Sequence, residues 1–497
     1  MLYRAALVIG FLAVAFWRQD ETGFGYFHDD TLYFGSAQSL AAGGGYAVPS
    51  IPGTPAQTKY PILYPLLLSV LWKISPRFPD NLPLALGLTA LFGAALVAGW
   101  HALLEQLGAS RREAWILTAV SAVHPFLLSL TGAVLSDIPF MALAVWAAVW
   151  AGRGLWWAAM ACSVAAVLTR SIGLAVVAGI LVTLLLRKAW RHAALYTAVC
   201  VAFLAAGFWW SATRQPVLEG LPGYRQTLLF YSSYGGFWKL SLPDFAAVRS
   251  LLASNALEVL KAPATLCLPL PHLPDNVYLQ GSVVFLLSLA ILAGVARLPF
   301  HAAHGILIFY AAITLLWNYP LANRFLLMFL PLFWLGAVRV AQVLPRGRLL
   351  APLAILALLD AAYANLWLLP KQMSAVTADR QSLAGEKGEV YDWITSRTAP
   401  TDRFIAYEDV ALYLHTGRQA LRPLAPTSPP RLDRDLPQLA DTARQIQARY
   451  WLVAPDDYQL EESAAALQER TRLLLQPFPV VFRSRGGRVW VHRVEAH

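Results

Sequence analysis

The chain has 497 residues, 57% hydrophobic and only 14% charged, with a formal net charge of +10 at pH 7. Soluble chains carry about 25% charged residues, so this balance excludes a disordered chain, a fibrous repeat and an ordinary cytosolic enzyme. The charge is also unevenly shared. Residues 1–369 hold 22 Lys/Arg and 13 Asp/Glu, whereas residues 370–497 hold 17 and 16. That split predicts a membrane-embedded body over 1–369 and one water-soluble domain over 370–497. The excess divides as +9 and +1, and a nucleic-acid partner would require those cations on one folded basic face. Cys162, Cys200 and Cys267 are three residues without CxxC spacing, indicating neither a disulfide framework nor a zinc site.

A bilayer span needs about 20 mostly apolar residues. Apolar runs at 2–17, 83–104, 114–131, 135–151, 155–169, 171–186, 193–213, 281–296, 303–318, 322–341 and 349–369 predict eleven helices. The first is read as retained, because Phe16, Trp17 and Arg18 stand where a cleaved signal peptide carries small residues. The run 62–74 is apolar but short and contains Pro65 and Lys73, which predicts an interfacial or re-entrant segment. Loop charge fixes the orientation. With 62–74 not crossing, Arg111, Arg112, Arg153, Arg187, Lys188, Arg191, Arg297, Arg339, Arg346 and Arg348 join Arg4 on the cytoplasmic side, 11 basic residues against the 2 acidic residues Glu105 and Glu113. If 62–74 crossed, Arg111 and Arg112 would move outside. The N-terminus is therefore expected in the cytoplasm. The long loops 18–82 and 214–280 and the C-terminal domain are expected in the periplasm or an equivalent outer space.

Within 370–497 the pattern alternates: helix 379–397, strand 403–408, a helix from Asp409, strand 450–455, helix 457–475, then the strand-like PVVFRS and RVWVHRV. This predicts a small α/β domain with an antiparallel edge at its end. The Pro-rich stretch 423–430 reads as a surface loop. The cations thus mainly set orientation.

Ionisable residues near a bilayer are costly and point to function. His28-Asp29-Asp30 follows the first span. Two adjacent carboxylates suit a base or a metal ligand; equally, Asp29 or Asp30 can cap a helix through Leu32, Ala37 and Leu40 that ends at Gly43-Gly44-Gly45. Neighbouring helix residues point about 100° apart, so one can cap while the other faces a cavity. Lys59-Tyr60-Pro61, with Tyr64-Pro65 beyond, lies in the same loop; a lysine snorkelling to headgroups is its plain reading. Asp137, after Ser136 and before Ile138-Pro139, opens a span, and there too capping is the plain reading. Arg170 lies in a turn between two apolar runs and Arg324 opens the tenth span. All five features fall on the outer side. Cations at headgroup depth can hold a phosphate, and a carboxylate can deprotonate a hydroxyl or amine nucleophile. No cofactor is required by such chemistry. A divalent cation stays open, since His28, Asp29, Asp30 and Asp137 would ligate one if they converged. Asp360, in the last span, is read as bonded within the helix bundle, and Glu408-Asp409 as a helix cap.

These motifs resemble the polyprenyl-phosphate-sugar-dependent glycosyltransferases of the GT-C fold, the group of protein O-mannosyltransferases and lipid A aminoarabinose transferases, in its bacterial branch. The likeness rests on Asp29-Asp30 with Tyr33 and the turn Gly43 to Tyr46, on Lys59-Tyr60-Pro61 and Tyr64-Pro65, on Ser136 to Phe140, on Leu168 to Arg170, and on Arg324 to Pro331. It spans most of residues 1–345. Asp30 departs from the pattern, where Glu is common. The resemblance implies a GT-C-like polytopic fold and an inverting transfer of a sugar from a polyprenyl-phosphate donor to an envelope acceptor: protein, lipid A or glycan. It further implies Asp29 as general base, with Asp30 beside it, and Asp137 orienting the acceptor or a cation. Lys59, Arg170 and Arg324 would hold the lipid phosphate, with Tyr33 and Tyr60 lining the site.

Two other classes compete. A polytopic transporter would show related halves and midplane ionisable or broken helices, which this sequence lacks. A non-catalytic envelope assembly protein would use 370–497 as a receptor domain. Sugar and acceptor are not written in the sequence.

Overall fold

The computed structural model describes residues 2–19, 21–215, 245–268, 277–317, 323–343, 363, 369–423, 443–459 and 464–494. Asp360, Arg346, Arg348 and nearly all of the Pro-rich stretch lie outside them.

The described chain is mostly helical. In order it forms α1 (Leu2–Trp17), α2 (Asp29–Ala41), α3 (Leu63–Ile74), α4 (Leu82–Gln106), α5 (Arg111–Ala122), α6 (Pro125–Thr131), α7 (Asp137–Gly152), α8 (Trp156–Thr169), α9 (Leu174–Leu186) and α10 (Trp190–Arg214). Then follow α11 (Phe245–Cys267), α12 (Val277–Ala296), α13 (Ala302–Thr314), a 3-10 turn Asn323–Phe329, α14 (Leu330–Val343) and α15 (Leu369–Arg397). The C-terminal segment adds β1 (Arg403–Ala406), α16 (Asp409–Thr416), β2 (Ala420–Leu421), β3 (Ala448–Val453), α17 (Ala464–Leu475), β4 (Val480–Arg483) and β5 (Trp490–Arg493).

Among the described residues three helical stretches are long and apolar enough to cross a membrane, Leu82–Gln106, Trp190–Arg214 and Arg324–Val343; α5 and α6, bent by 60°, make a fourth if they form one span. The bend has a local cause. A Ser110–Glu113 capping box starts α5, and Pro125 starts a new helix because its ring suits a first turn but not an interior. Further apolar helical stretches among the described residues, such as Asp137–Gly152 and Gly281–Ala296, have 10–17 residues, below the length that spans unaided. α3 is one of these: Tyr64, Leu68 and Trp72 are buried while Leu66, Val70 and Ile74 are exposed, so one face of this short helix is covered and the other is not. Inside the stretch expected as the loop 214–280 stands α11. Arg249, Glu258 and Lys261 interrupt its apolar pattern and hide the helix from a hydropathy reading. At Pro263 the helix loses a donor, and Ser288 Oγ accepts from the Ala264 N–H at 3.0 Å while donating to the Lys261 carbonyl at 3.0 Å.

Contacts divide the chain into two compact units. The first comprises Met1–Asp20, Leu86–Ala206 and Asp244–Ala375; the second comprises Glu21–Ala85, Gly207–Pro243 and Val376–His497. In the first, helices approach most closely where side chains vanish: a Cβ on Gly179 of α9 would lie 2.4 Å from the Ile306 nitrogen of α13, the small-residue contact familiar between membrane helices.

In the second, the sheet order is β2-β1-β3-β5-β4. β2, β1 and β3 are parallel, whereas β5 and β4 join antiparallel, as the expected antiparallel end requires. The two-residue β2 is too short to leave a sequence signal. α17 begins at Ala464 rather than at 457, because Ala454–Gln459 turns back on itself: Asp457 accepts from the Ala454 N–H at 2.9 Å. The core of this sheet gathers Val390, Ile394, Phe404, Leu412, Val489 and Val491. Residues 46–57 are bound to it: the Ala420 N–H donates to the Ser50 carbonyl at 2.8 Å, and Gln419 Nε2 reaches the Pro49 and Ile51 carbonyls at 3.2 and 3.1 Å.

Candidate active site

α2 carries the acidic pair. His28 precedes it at φ 59° and makes no side-chain cap, so Asp29 and Asp30 are the first helical residues rather than caps. Carboxylates in a first turn are favoured by the exposed N–H groups and the helix dipole. The two then diverge, as helical rotation requires. Asp30 is 0% exposed and accepts the backbone N–H groups of Gly25 (2.9 Å) and Thr31 (2.8 Å). Burial, reinforced by the neighbouring Glu408 and Asp29, pushes its carboxyl up to about 8. Asp29 is only partly buried and accepts the Tyr60 hydroxyl at 2.7 Å. One carboxylate thus secures the backbone and the other faces a side-chain cluster. The helix ends as its glycines foretell: the Gly44 N–H donates to the Ser39 carbonyl at 2.8 Å while Gly43 adopts φ 78°, the left-handed turn that favours glycine.

The Lys59-Tyr60-Pro61 stretch is held from three sides. Gln57 Oε1 accepts the N–H of Lys59 at 3.1 Å and of Tyr60 at 3.4 Å, and the Tyr46 hydroxyl donates to the Tyr60 carbonyl at 2.9 Å. Tyr33, one turn after Asp29 on α2, meets the Tyr60 ring edge-on at 5.0 Å and the Tyr64 ring at 5.5 Å. The Lys59 ammonium lies 5.4 Å from the Tyr60 ring centre and is only 7% exposed. Burial pulls Lys59 down to about 7 despite the attraction of Asp29, and Arg422 pulls the same way. Asp29, Tyr33, Lys59 and Tyr60 therefore form one cluster within the second unit. It pairs a hydrogen-bonded carboxylate with a cation whose charge a phosphate would stabilise.

The first unit holds the other three expected residues. Asp137 starts α7 after Ser136, whose hydroxyl makes no cap. Instead Arg170, at the end of α8, donates to both Asp137 and Ser136 (3.2 Å to Ser136 Oγ). Arg324 lies in the 3-10 turn before α14, 5.4 Å from the Phe325 ring centre. Arg170, Asp137 and Arg324 all act electrostatically on Tyr310 of α13.

Two residues read as a helix cap take other parts. Glu408 occupies the N-cap position of α16 without a side-chain cap; its carboxylate stands 3.5 Å from His28 Nδ1. Burial alone would raise Glu408, but its hydrogen bond and charge contact with His28, with Arg422 and Lys387 beyond, hold it below the usual carboxylate range. Asp409 is buried and accepts the Ser50 hydroxyl at 2.9 Å. Sequence could not signal either contact, since the partners lie more than 350 positions apart. Among the described residues no group of three or more His, Cys, Asp and Glu is placed to hold a metal ion.

No protein-family model matches the chain, and no curated protein sequence does. Among solved structures it is similar to the crystal structure of ArnT from Cupriavidus metallidurans bound to undecaprenyl phosphate, at 14% identity and a TM-score of 0.41 over 100% of this chain and 98% of that one. The apo state of the same protein matches with 14% identity and a TM-score of 0.41, over 94% and 93% of the two chains.

Proposed function

We propose that this protein is an integral membrane glycosyltransferase that moves a sugar from a polyprenyl-phosphate donor to an envelope acceptor with inversion. The observation that carries the reading is the Tyr60 hydroxyl bonded to Asp29 at 2.7 Å, with Lys59 on the adjoining position. Asp29 takes the proton of the acceptor hydroxyl or amine. The freed lone pair attacks the anomeric carbon from the face opposite the phosphate. The bond from that carbon to the phosphate oxygen breaks, and its electron pair leaves on polyprenyl phosphate. A leaving phosphate needs little protonation, so a cation suffices to stabilise it; Lys59 supplies that charge, and Arg170 and Arg324 are assigned to phosphate binding. Asp137 orients the acceptor. We assign residues 1–369 to an inner-membrane transferase domain of eleven spans and 370–497 to a periplasmic domain.

Purified protein incubated with a polyprenyl-phosphate sugar and envelope extract should release polyprenyl phosphate and glycosylate a component of the extract. Absence of release with every donor sugar tried would remove the reading and leave the assembly-protein alternative. Because Lys59 stands where a metal would otherwise neutralise the phosphate, EDTA should leave the rate unchanged. A rate restored only by a divalent cation would place a metal in the site.

A further inference from the structure

Beside the acidic pair, within the same unit, lies a cleft of about 290 Å³ that the transfer chemistry does not use. Small-ligand pockets occupy about 300–1,000 Å³, so the cleft stands at their lower edge, far above a packing void. Its walls are flat rings. His415 of α16 is exposed and stacks on Tyr391 of α15 at 4.4 Å and 16°; Phe78 meets the edge of His415 at 4.7 Å. Elsewhere in the lining, Tyr26 keeps 36% of its surface exposed and carries the Arg380 guanidinium 4.1 Å from its ring centre. Polar groups line the same cleft, namely the Lys387–Asp456 pair at 2.6 Å and Glu408. Glu408 also faces His28, which immediately precedes Asp29.

The geometry points to a binding site for one neutral or amino sugar ring of the acceptor, which deepens and rests on the transferase reading above. A pyranose has C–H faces that lie on aromatic rings and a rim of hydroxyls that donate to carboxylates, and this cleft offers both. Its sign selects further. Glu21, Asp379, Glu408 and Asp456 outnumber Arg380 and Lys387 in the lining, so a uronic acid or a phosphate is repelled while a hydroxyl or ammonium is welcome. The acceptor is then a glycan, and its sugar is held on the element pair, α15 and α16, that pins the start of α2.

The test uses the full-length protein in detergent on an immobilised panel of neutral, hexosamine-containing and uronic-acid-containing oligosaccharides. Binding to members of the first two groups is expected. His415→Ala should weaken it about tenfold, and His415→Phe, which keeps a flat ring on Tyr391, should retain it. If His415→Ala does not fold, Tyr26→Ala gives the same reading from the opposite ring. An excess of polyprenyl-phosphate sugar should leave the bound oligosaccharide in place; displacement would assign the cleft to the donor and overturn the proposal. No binding to any oligosaccharide, preference for uronic acids, or undiminished binding by the alanine variant would also overturn it, even if sugar transfer is observed. Binding by wild type with no release of polyprenyl phosphate from any donor would overturn the transferase reading and leave a glycan-binding cleft.

Discussion

Asp29 and Asp30 are adjacent, yet their surroundings assign them different chemistry. Asp30 has no access to a substrate, being wholly buried and bonded to backbone, whereas Asp29 is directed by the Tyr60 hydroxyl. Asp29→Asn should therefore abolish sugar transfer while the protein remains inserted and monodisperse; retained turnover would exclude Asp29 as the base. Tyr60→Phe keeps the ring against Tyr33 and removes the directing hydrogen bond to Asp29. Such a bond to a charged group contributes about 1.5–3 kcal/mol, so kcat should fall about 10–100-fold with the donor KM little changed. Lys59 gives a pH signature. With the free site at about 7, the singly charged phosphodiester of a bound donor draws the ammonium form back, so binding takes up a proton. Donor affinity should then fall as pH rises above about 7, and Lys59→Arg should move that fall to higher pH. Affinity that is flat from pH 6 to 9 would detach Lys59 from the phosphate.

At the scale of elements, the hydropathy pattern exposed what composition governs and missed what partners govern. α2, its glycine stop and the short α3 follow from local residue types, and so do the strands β1, β3, β4 and β5. α11 was hidden because a helix needs only packing on one side, and Asn255 finds its partners in the Leu315 and Trp317 carbonyls at 2.9 and 2.6 Å, contacts with no local trace. Of the site, the residue types were legible and the pairings were not: Tyr60 with Asp29, Arg170 with Asp137, and Glu408 with His28 all join separate elements. The same separation makes α2 testable as an element. Asp30 has its carboxyl pushed from 3.8 up to about 8 in the folded chain. Below about pH 4 both states hold the proton and the group costs nothing. Above it the unfolded chain ionises first, so stability falls with rising pH until the folded pKa is passed. Asp30→Asn removes the ionisable group at the cost of one of the two acceptor oxygens that Gly25 and Thr31 use, so its unfolding temperature relative to the wild type should be higher at pH 8.5 than at pH 5. A gap that is equal at both pH values would mean Asp30 is ionised in the folded protein. Gly43→Ala tests the other end of α2: forcing a Cβ to φ 78° should cost about 1 kcal/mol, read as a lower unfolding temperature with the helix content preserved.

For the whole molecule the question is which side of the membrane the chemistry faces, and the net charge of +10 bears on it directly. Each cation near an anionic cytoplasmic surface gains about 1 kcal/mol, so the short loops holding Arg111, Arg112, Arg153, Arg187 and Lys188 strongly favour the inner side. On the proposed count of eleven spans the C-terminal segment is carried outward, and the residues bound to it go with it: loop 46–57 through Gln419 and Ser50, and through that loop Lys59 and Tyr60. Orientation of the sheet is therefore orientation of the proposed base. Two engineered cysteines read it out. Arg485 has 93% of its side chain exposed in the C-terminal segment, and Arg153 is exposed at the end of α7, while the natural Cys200 and Cys267 are buried. With Cys162→Ser as background, an impermeant maleimide should label Arg485→Cys on intact cells and Arg153→Cys only after permeabilisation. The reverse pattern would put Asp29 in the cytoplasm, where nucleotide sugars are at hand and a lipid-phosphate donor would hold no advantage. That result would overturn the donor class together with the topology.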